Sequence, residues 1–395
     1  MAPLWILSSL LHLYVGLRIV PGLAPWPPAA VAFALLLAAS AAVLPPGLRT
    51  MRRHGDARGR ALHWAGMTSL GALSSIAVLT LLRDAGLLLA VAADALWPAA
   101  VGVEALARAS AVAVPLLGLG ATAWGFVEAR RVPRIVDVEV PIAGLPTALE
   151  GFTIAQVSDL HVGATIRRPQ VEAVVEAVNA LGADAVAITG DLVDGGVREL
   201  APHVAPLAGL RSRHGTFFVT GNHEYYSGAH AWIAALRGLG MHVLVDAHAV
   251  LPVRGHAVVL AGVADFSAHR FDPSHRGDPA AALAGAPADA AVRILLAHQP
   301  RSAEAAARAG VDLQLSGHTH GGQFLPWRFF VPLQQPWVAG LHRLGRTWIY
   351  VSRGTGYWGP PKRFGAPSEI TRVRLVAAPA GRDAPPAPDG RAGIR

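Results

Sequence analysis

Four long apolar stretches dominate the first third of the chain: Leu4–Val20, Ala29–Leu44, Ala61–Leu82 and Ser110–Val127. Crossing the hydrocarbon core of a bilayer takes about 20 apolar residues in a helix, so each predicts a span, the second at the short end. Their clustering and near-absence of charge favour the membrane over the core of a large soluble domain. The first has no basic leader and is followed by more spans, so it reads as an anchor and not as a signal peptide. A fifth stretch, Ala85–Val103, is apolar apart from Asp94 and carries Pro98. It is expected to be re-entrant or interfacial.

Beyond Arg134 the pattern changes. Short apolar runs end in polar residues: "FTIAQVSD", "ADAVAITGD", "TFFVTGN", "HAVVLAGVAD", "VRILLAHQ", "VDLQLSGH" and "TWIYVSRG". Between them lie helical patterns such as "RPQVEAVVEAVNAL", with apolar Val171, Val174, Val175 and Val178 on one face. Strand, loop, helix, strand predicts an α/β fold with ligands at the carboxyl ends of strands. Three parts are expected: a multi-span membrane domain over 1–133, a catalytic domain over 134–376, and a disordered tail over 377–395, rich in Pro, Ala and Gly.

Composition sharpens this reading. Apolar residues make up 52% and charged ones 15%, against roughly a quarter charged in soluble domains. The net charge of +8 would suit a nucleic-acid partner if it were concentrated on the soluble part. Instead the arginines flank the apolar runs, in "RTMRRHGDARGR" and "EARRVPR", as topology signals do. With four spans, the amino terminus, the Arg49–Arg60 link and the catalytic domain are all expected in the cytoplasm. No nucleic acid is expected as a partner; the bilayer and a phosphorylated small-molecule or lipid substrate are. The absence of cysteine excludes disulfides, zinc–thiolate sites and thiol nucleophiles.

The strand ends carry the chemistry. In order they hold Asp159 and His161 ("SDLH"), Asp191 and Asp194 ("GDLVD"), Asn222, His223 and Glu224 ("GNHE"), His298 ("AHQP"), and His318 and His320 ("GHTH"). Carboxylate, imidazole and amide oxygen together suit Mn, Fe or Zn. One ion needs about four protein ligands, so seven candidates fit two ions sharing a carboxylate. Two ions about 3.5–4 Å apart neutralise the oxygens of a phosphoester, clamp it for in-line attack and make hydroxide available near neutral pH. A histidine outside the metal shell would protonate the leaving oxygen.

The series D-x-H, G-D-x-x-D, G-N-H-[D/E], lone His, G-H-x-H resembles the calcineurin-like metallophosphoesterase superfamily over about residues 135–376, and its membrane-anchored bacterial branch in "GTGYWGPPKR" (Gly354 to Arg363). The resemblance implies a two-sheet β-sandwich flanked by helices, here preceded by an α-helical transmembrane domain. It implies two divalent metal ions as cofactors. Asp159, His161 and His320 would hold the first; Asn222, His298 and His318 the second; Asp191 would bridge them. His223 would be the general acid, with Asp194 and Glu224 orienting their neighbours. Arg353, Tyr357 and Trp358 are weaker candidates for substrate contact. Trp327, Phe329, Phe330 and Trp337 are candidates for meeting a bilayer or an acyl chain. His269 and His275, in "AHRFDPSH", are further possible ligands, whereas His230 reads as a surface residue. The expected function is hydrolysis of a phosphodiester or pyrophosphate at the membrane, with a lipid-linked substrate suggested by the anchor. The alternative is a non-catalytic scaffold keeping the fold. Retention of all seven ligands and His223 argues against it.

Overall fold

The computed structural model describes residues 2–50, 57–98 and 101–378. Part of the Arg49–Arg60 link, and the tail from residue 379 on, lie outside the described residues. The chain divides into two compact units, one comprising Met1–Arg130 with Gly359–Phe364, the other Arg131–Trp358 with the rest.

The first unit consists of α1 (Ala2–Ile19), α2 (Pro27–Arg49), α3 (Ala57–Leu96) and α4 (Val103–Ala129). All four are long and apolar enough to cross a membrane. They pack through Val15, Ile19, Phe33, Leu37, Leu73, Ile76 and Val114. The stretch from Ala85 is not the separate re-entrant segment expected of it. Ala85–Leu96 continues α3, a helix of 40 residues, about 60 Å long at 1.5 Å per residue. Nothing before Leu96 stops it: Pro98 lies beyond the end, and Gly86 alone costs only about 1 kcal/mol. Half-buried Asp84 is tolerated mid-helix because it accepts hydrogen bonds from Arg18 Nε and Tyr14 OH, both at 2.8 Å, and a charge in an apolar span needs such partners. Gly359–Phe364 joins this unit through Lys362, the only lysine in the chain. Its Nζ donates to Ser75 Oγ, to Thr122 Oγ1 at 3.1 Å and to Gly71 O at 3.2 Å.

The second unit runs β1 (Arg134–Ile142), β2 (Thr153–Val157), α5 (Arg168–Ala180), β3 (Ala185–Ile188), α6 (Val197–Val204), β4 (Thr216–Phe218), α7 (Asn222–Ser227), α8 (Ala229–Gly238), β5 (His242–Val243), β6 (Ala247–Val253), β7 (His256–Gly262), α9 (Pro279–Ala282), β8 (Val292–Leu296), α10 (Ala303–Arg308), β9 (Leu313–Ser316), β10 (Gly340–Leu344), β11 (Thr347–Val351) and β12 (Glu369–Ala377). It is the expected two-sheet sandwich. One sheet has the order β1-β12-β2-β3-β4-β5, the other β10-β11-β9-β8-β7-β6. Their facing sides bury Ile154, Ala185, Phe217, Leu260, Ile294, Leu313, Tyr350 and Val373 in one core. Outside, α5 turns Val171, Val174, Val175 and Val178 inward. Strands β2, β3 and β4 run parallel in one sheet, and β8 and β9 in the other, so all five deliver their carboxyl ends to one edge.

Phe217, 1% exposed between the sheets, tests this core. Phe217→Ala should cost about 3–5 kcal/mol, seen as a lower melting temperature of the detergent-solubilised chain; an unchanged melt would mean the sheets are not packed through it.

Candidate metal centre

The loops leaving β2 and β3 run side by side. The ladder continues past the strands through Asp159 N to Gly190 O, His161 N to Asp191 O and Val162 N to Leu192 O, at 2.8–3.1 Å. These loops, and the one that leaves β9, depart from ordinary backbone space. Asp159, His161, Asp191, His318 and His320 all have φ between 50° and 71°, a left-handed region costly for residues with a Cβ. Strain of about 1–3 kcal/mol per residue persists where function requires it. Two motif glycines have a steric reason. A Cβ on Gly317 would collide with Ser158 and Asp159, and one on Gly221 with Asp191.

Two groups of donors result. Asp159, His161 and His320 form one; Asp191, His298 and His318 form the other; within each, the donor atoms lie within 4.8 Å of one another. Nε2 of His161 and of His320 face each other at 3.1 Å. His320 Nε2 is 3.5 Å from Asp159 Oδ1. His318 Nδ1 is 3.2 Å from His298 Nε2. Asp191 Oδ2 lies 3.2 Å from His298 Nε2 and 3.9 Å from His161 Nε2, so one carboxylate reaches both groups.

Outer hydrogen bonds fix these side chains. His298 Nδ1 donates to Thr189 O at 2.8 Å, which leaves Nε2 to face the cavity, the arrangement usual for a ligating histidine. Asp194 Oδ1 accepts from Nδ1 of both His161, at 2.9 Å, and His223, at 2.6 Å. Buried Glu224 accepts from the backbone N–H of Gly221, Asp191, Leu192 and Val193 at 2.6–3.3 Å. It therefore clamps the "GDLVD" and "GNHE" loops together. Asn222 Oδ1 is buried with no hydrogen-bond partner. Leaving an amide oxygen so placed is costly unless a cation meets it.

The electrostatics agree. Burial pushes the Asp159 carboxyl up. Burial also works against ionisation of Asp191, but His298 and His223 outweigh it and hold Asp191 well below the usual carboxylate range. His298 is correspondingly pushed well up by Asp191, against its own burial. His318 is pushed down to about 3 by burial and by His298. Against burial, Asp191 and Asp194 raise His223 to about 9.

Of the weaker candidates, Trp358 stands at the site, its ring centroid 5.8 Å from that of His223. Tyr357 is buried. Arg353 lies against Gly321 and donates to Glu369 at 2.8 Å. His269 is in none of the donor groups found among the described residues, while His275 joins one apart from the centre. Sequence reasoning gave Glu224 only a vague orienting part. Of its four backbone bonds only the one from Gly221 follows from a capping pattern, a carboxylate three residues after the cap; the three from Asp191, Leu192 and Val193 depend on the tertiary fold.

The strand ends of the sandwich thus converge on two linked carboxylate–imidazole clusters whose donors suit divalent metal ions. The family model described as calcineurin-like phosphoesterase matches residues 152–322. A transmembrane protein with metallophosphoesterase domain from Danio rerio is 39% identical over 65% of this chain and 60% of its own length. One of the same name from Bos taurus is 41% identical, with the same coverage. An uncharacterized metallophosphoesterase of Aquifex aeolicus (strain VF5) is 34% identical over 61% of this chain and 91% of its own length. The chain thus belongs to the calcineurin-like phosphoesterase family. It spans about 60% of the length of the Danio and Bos proteins.

Because His298 must give up its proton to bind a metal, metal binding should release protons and tighten as pH rises. Calorimetric titration of chelator-stripped protein with Mn at pH 6.5, in buffers of different ionisation enthalpy, should show about one proton or more released per chain. Zero release would contradict the His298–Asp191 pairing.

Proposed function

We propose that this chain is a membrane-bound phosphoesterase using two divalent ions, Mn, Fe or Zn, and acting on a phosphodiester or pyrophosphate, with a lipid-linked compound as its substrate. The observation that carries this reading is the sharing of Asp191 between the two donor groups. Asp159, His161 and His320 would hold one ion, and Asn222, His298 and His318 the other. When bound, the ions neutralise phosphate oxygens and supply hydroxide at neutral pH.

The protein's own groups do the rest. His223, raised by Asp191 and Asp194 against its own burial, is the group suited to hold a proton. Its Nδ1 is fixed on Asp194 at 2.6 Å, so Nε2, 3.9 Å from Asp191 Oδ2, is the atom that donates the proton to the leaving oxygen. Trp358, half exposed beside His223, lies along the substrate. Arg353 is neutralised by Glu369, which favours a diester over the doubly charged monoester.

The lipid reading draws on the loop after the last motif. Trp327, Phe329, Phe330 and Leu333 are exposed, Phe329 by 70% and Leu333 by 80%, and aromatic residues favour the bilayer interface. The arginine distribution supports a cytoplasmic location for this unit. A reporter active only in the cytoplasm should therefore work when fused after Val376. Signal from an exported reporter alone would reverse that assignment.

Purified protein with Mn should hydrolyse a nitrophenyl phosphodiester, and Asp191→Ala should abolish this. Turnover that survives Asp191→Ala would defeat the reading. His223→Ala should cost about 10²–10⁴-fold with an alkyl leaving group, and much less with nitrophenolate, which departs without a proton. Equal losses on both would remove His223 from the acid role. Changing Phe329 and Phe330 to Ser should slow turnover of a lipid phosphodiester in vesicles far more than turnover of the soluble ester. Parallel effects would speak for a soluble substrate.

A further inference from the structure

A separate trio of donors lies away from the candidate centre. His230 stands on the first turn of α8; Asp272 and His275 lie on the loop that follows the short turn Ala268–Arg270. Their donor atoms fall within 4.8 Å of one another. Nε2 of His230 is 2.9 Å, and Nε2 of His275 3.8 Å, from the same Asp272 Oδ2. Ligands about 2.0–2.1 Å from a tetrahedral zinc ion sit about 3.3 Å apart, and the two distances straddle that value.

The outer atoms are held so that the inner ones face a common point. Asp272 Oδ1 accepts from Ser274 N at 2.8 Å and Ser274 Oγ at 2.7 Å, which leaves Oδ2 to the two imidazoles. His275 Nδ1 is 2.6 Å from the hydroxyl of Tyr225. When Nδ1–H donates to that oxygen, the Nε2 lone pair points at Asp272, as in a ligating histidine backed by an outer partner. Thr220 Oγ1, 3.3 Å away, accepts the phenolic proton in turn. The His230 side chain is 74% exposed, so water reaches the fourth position.

We propose that His230, Asp272 and His275 form a metal site of their own, taking a zinc-class divalent ion completed by water. Two imidazoles and a carboxylate suit such an ion and not calcium or magnesium. It would clasp the Ser267–Gly277 loop to α8. The loop's Phe271 ring packs 5.8 Å from Tyr225 and 5.7 Å from Tyr226, and Tyr226 packs 5.2 Å from His223. The clasp thus steadies the wall beside the acid without touching the central donors.

The test is zinc content. Full-length protein in detergent is stripped with chelator, re-equilibrated with zinc, desalted and analysed for metal per chain. Wild type should hold one zinc more than His230→Ala and one more than Asp272→Asn, which keeps the side chain's shape. The same decrement should appear when His230→Ala is added to Asp191→Ala, which separates this site from the central one. Loss of zinc in Asp191→Ala with none lost in His230→Ala would overturn this proposal and leave the catalytic one standing. Loss only in His230→Ala would do the reverse. His230 is exposed, so His230→Ala should melt as wild type does in chelator. Zinc content equal to wild type in both His230→Ala and Asp272→Asn would mean that the three groups are only hydrogen-bonded to one another.

Discussion

Everything in the sandwich unit is arranged around one electrostatic constraint: Asp159 and Asp191, both buried, must coexist within reach of the same few imidazoles. Neighbouring carboxylates out of water repel, and each resists ionisation there. The structure answers with five imidazoles, of His161, His223, His298, His318 and His320, drawn from four different loops. The carboxylates in turn push His298 and His223 upward against their burial. A pair of metal ions would balance the carboxylate charge, reach the Asn222 oxygen that has no partner, and leave His223 as the proton carrier.

The fold follows from that constraint. Groups far apart in sequence meet only if several strands end at one edge, and parallel strands with crossover helices provide such an edge. The left-handed backbone at five of the donor positions costs free energy that the core between the sheets offsets. Asp194 and Glu224 then remove the remaining freedom. One fixes two rings by their outer nitrogens, and the other ties two loops by their backbone N–H groups.

The convergence of the donors was legible because each lies in a short motif at the end of an apolar run, so the motif and the strand place it together. The apolar helices were legible by length and charge alone. The extent of α3 was not: a helix ends where something stops it, and a drop in hydropathy after Leu82 does not. Strand β1, at the sheet edge, and its neighbour β12 were not among the strand-like runs, since charged Asp137, Glu139, Arg372 and Arg374 interrupt their apolar positions. His230 looked like any surface histidine, because its neighbours Asp272 and His275 come about forty positions later. Membership of Gly359–Phe364 in the helical unit depends on Lys362 finding Ser75 and Thr122, which no local pattern encodes.

The most direct test of the central claim is anomalous diffraction from crystals of the full chain grown with manganese. Two peaks about 3.5–4 Å apart, with the Asp191 carboxylate between them and Asn222 Oδ1 on one, are the predicted result. No peak at the strand ends, or a single one that leaves Asp191 bound to His298 alone, would contradict it.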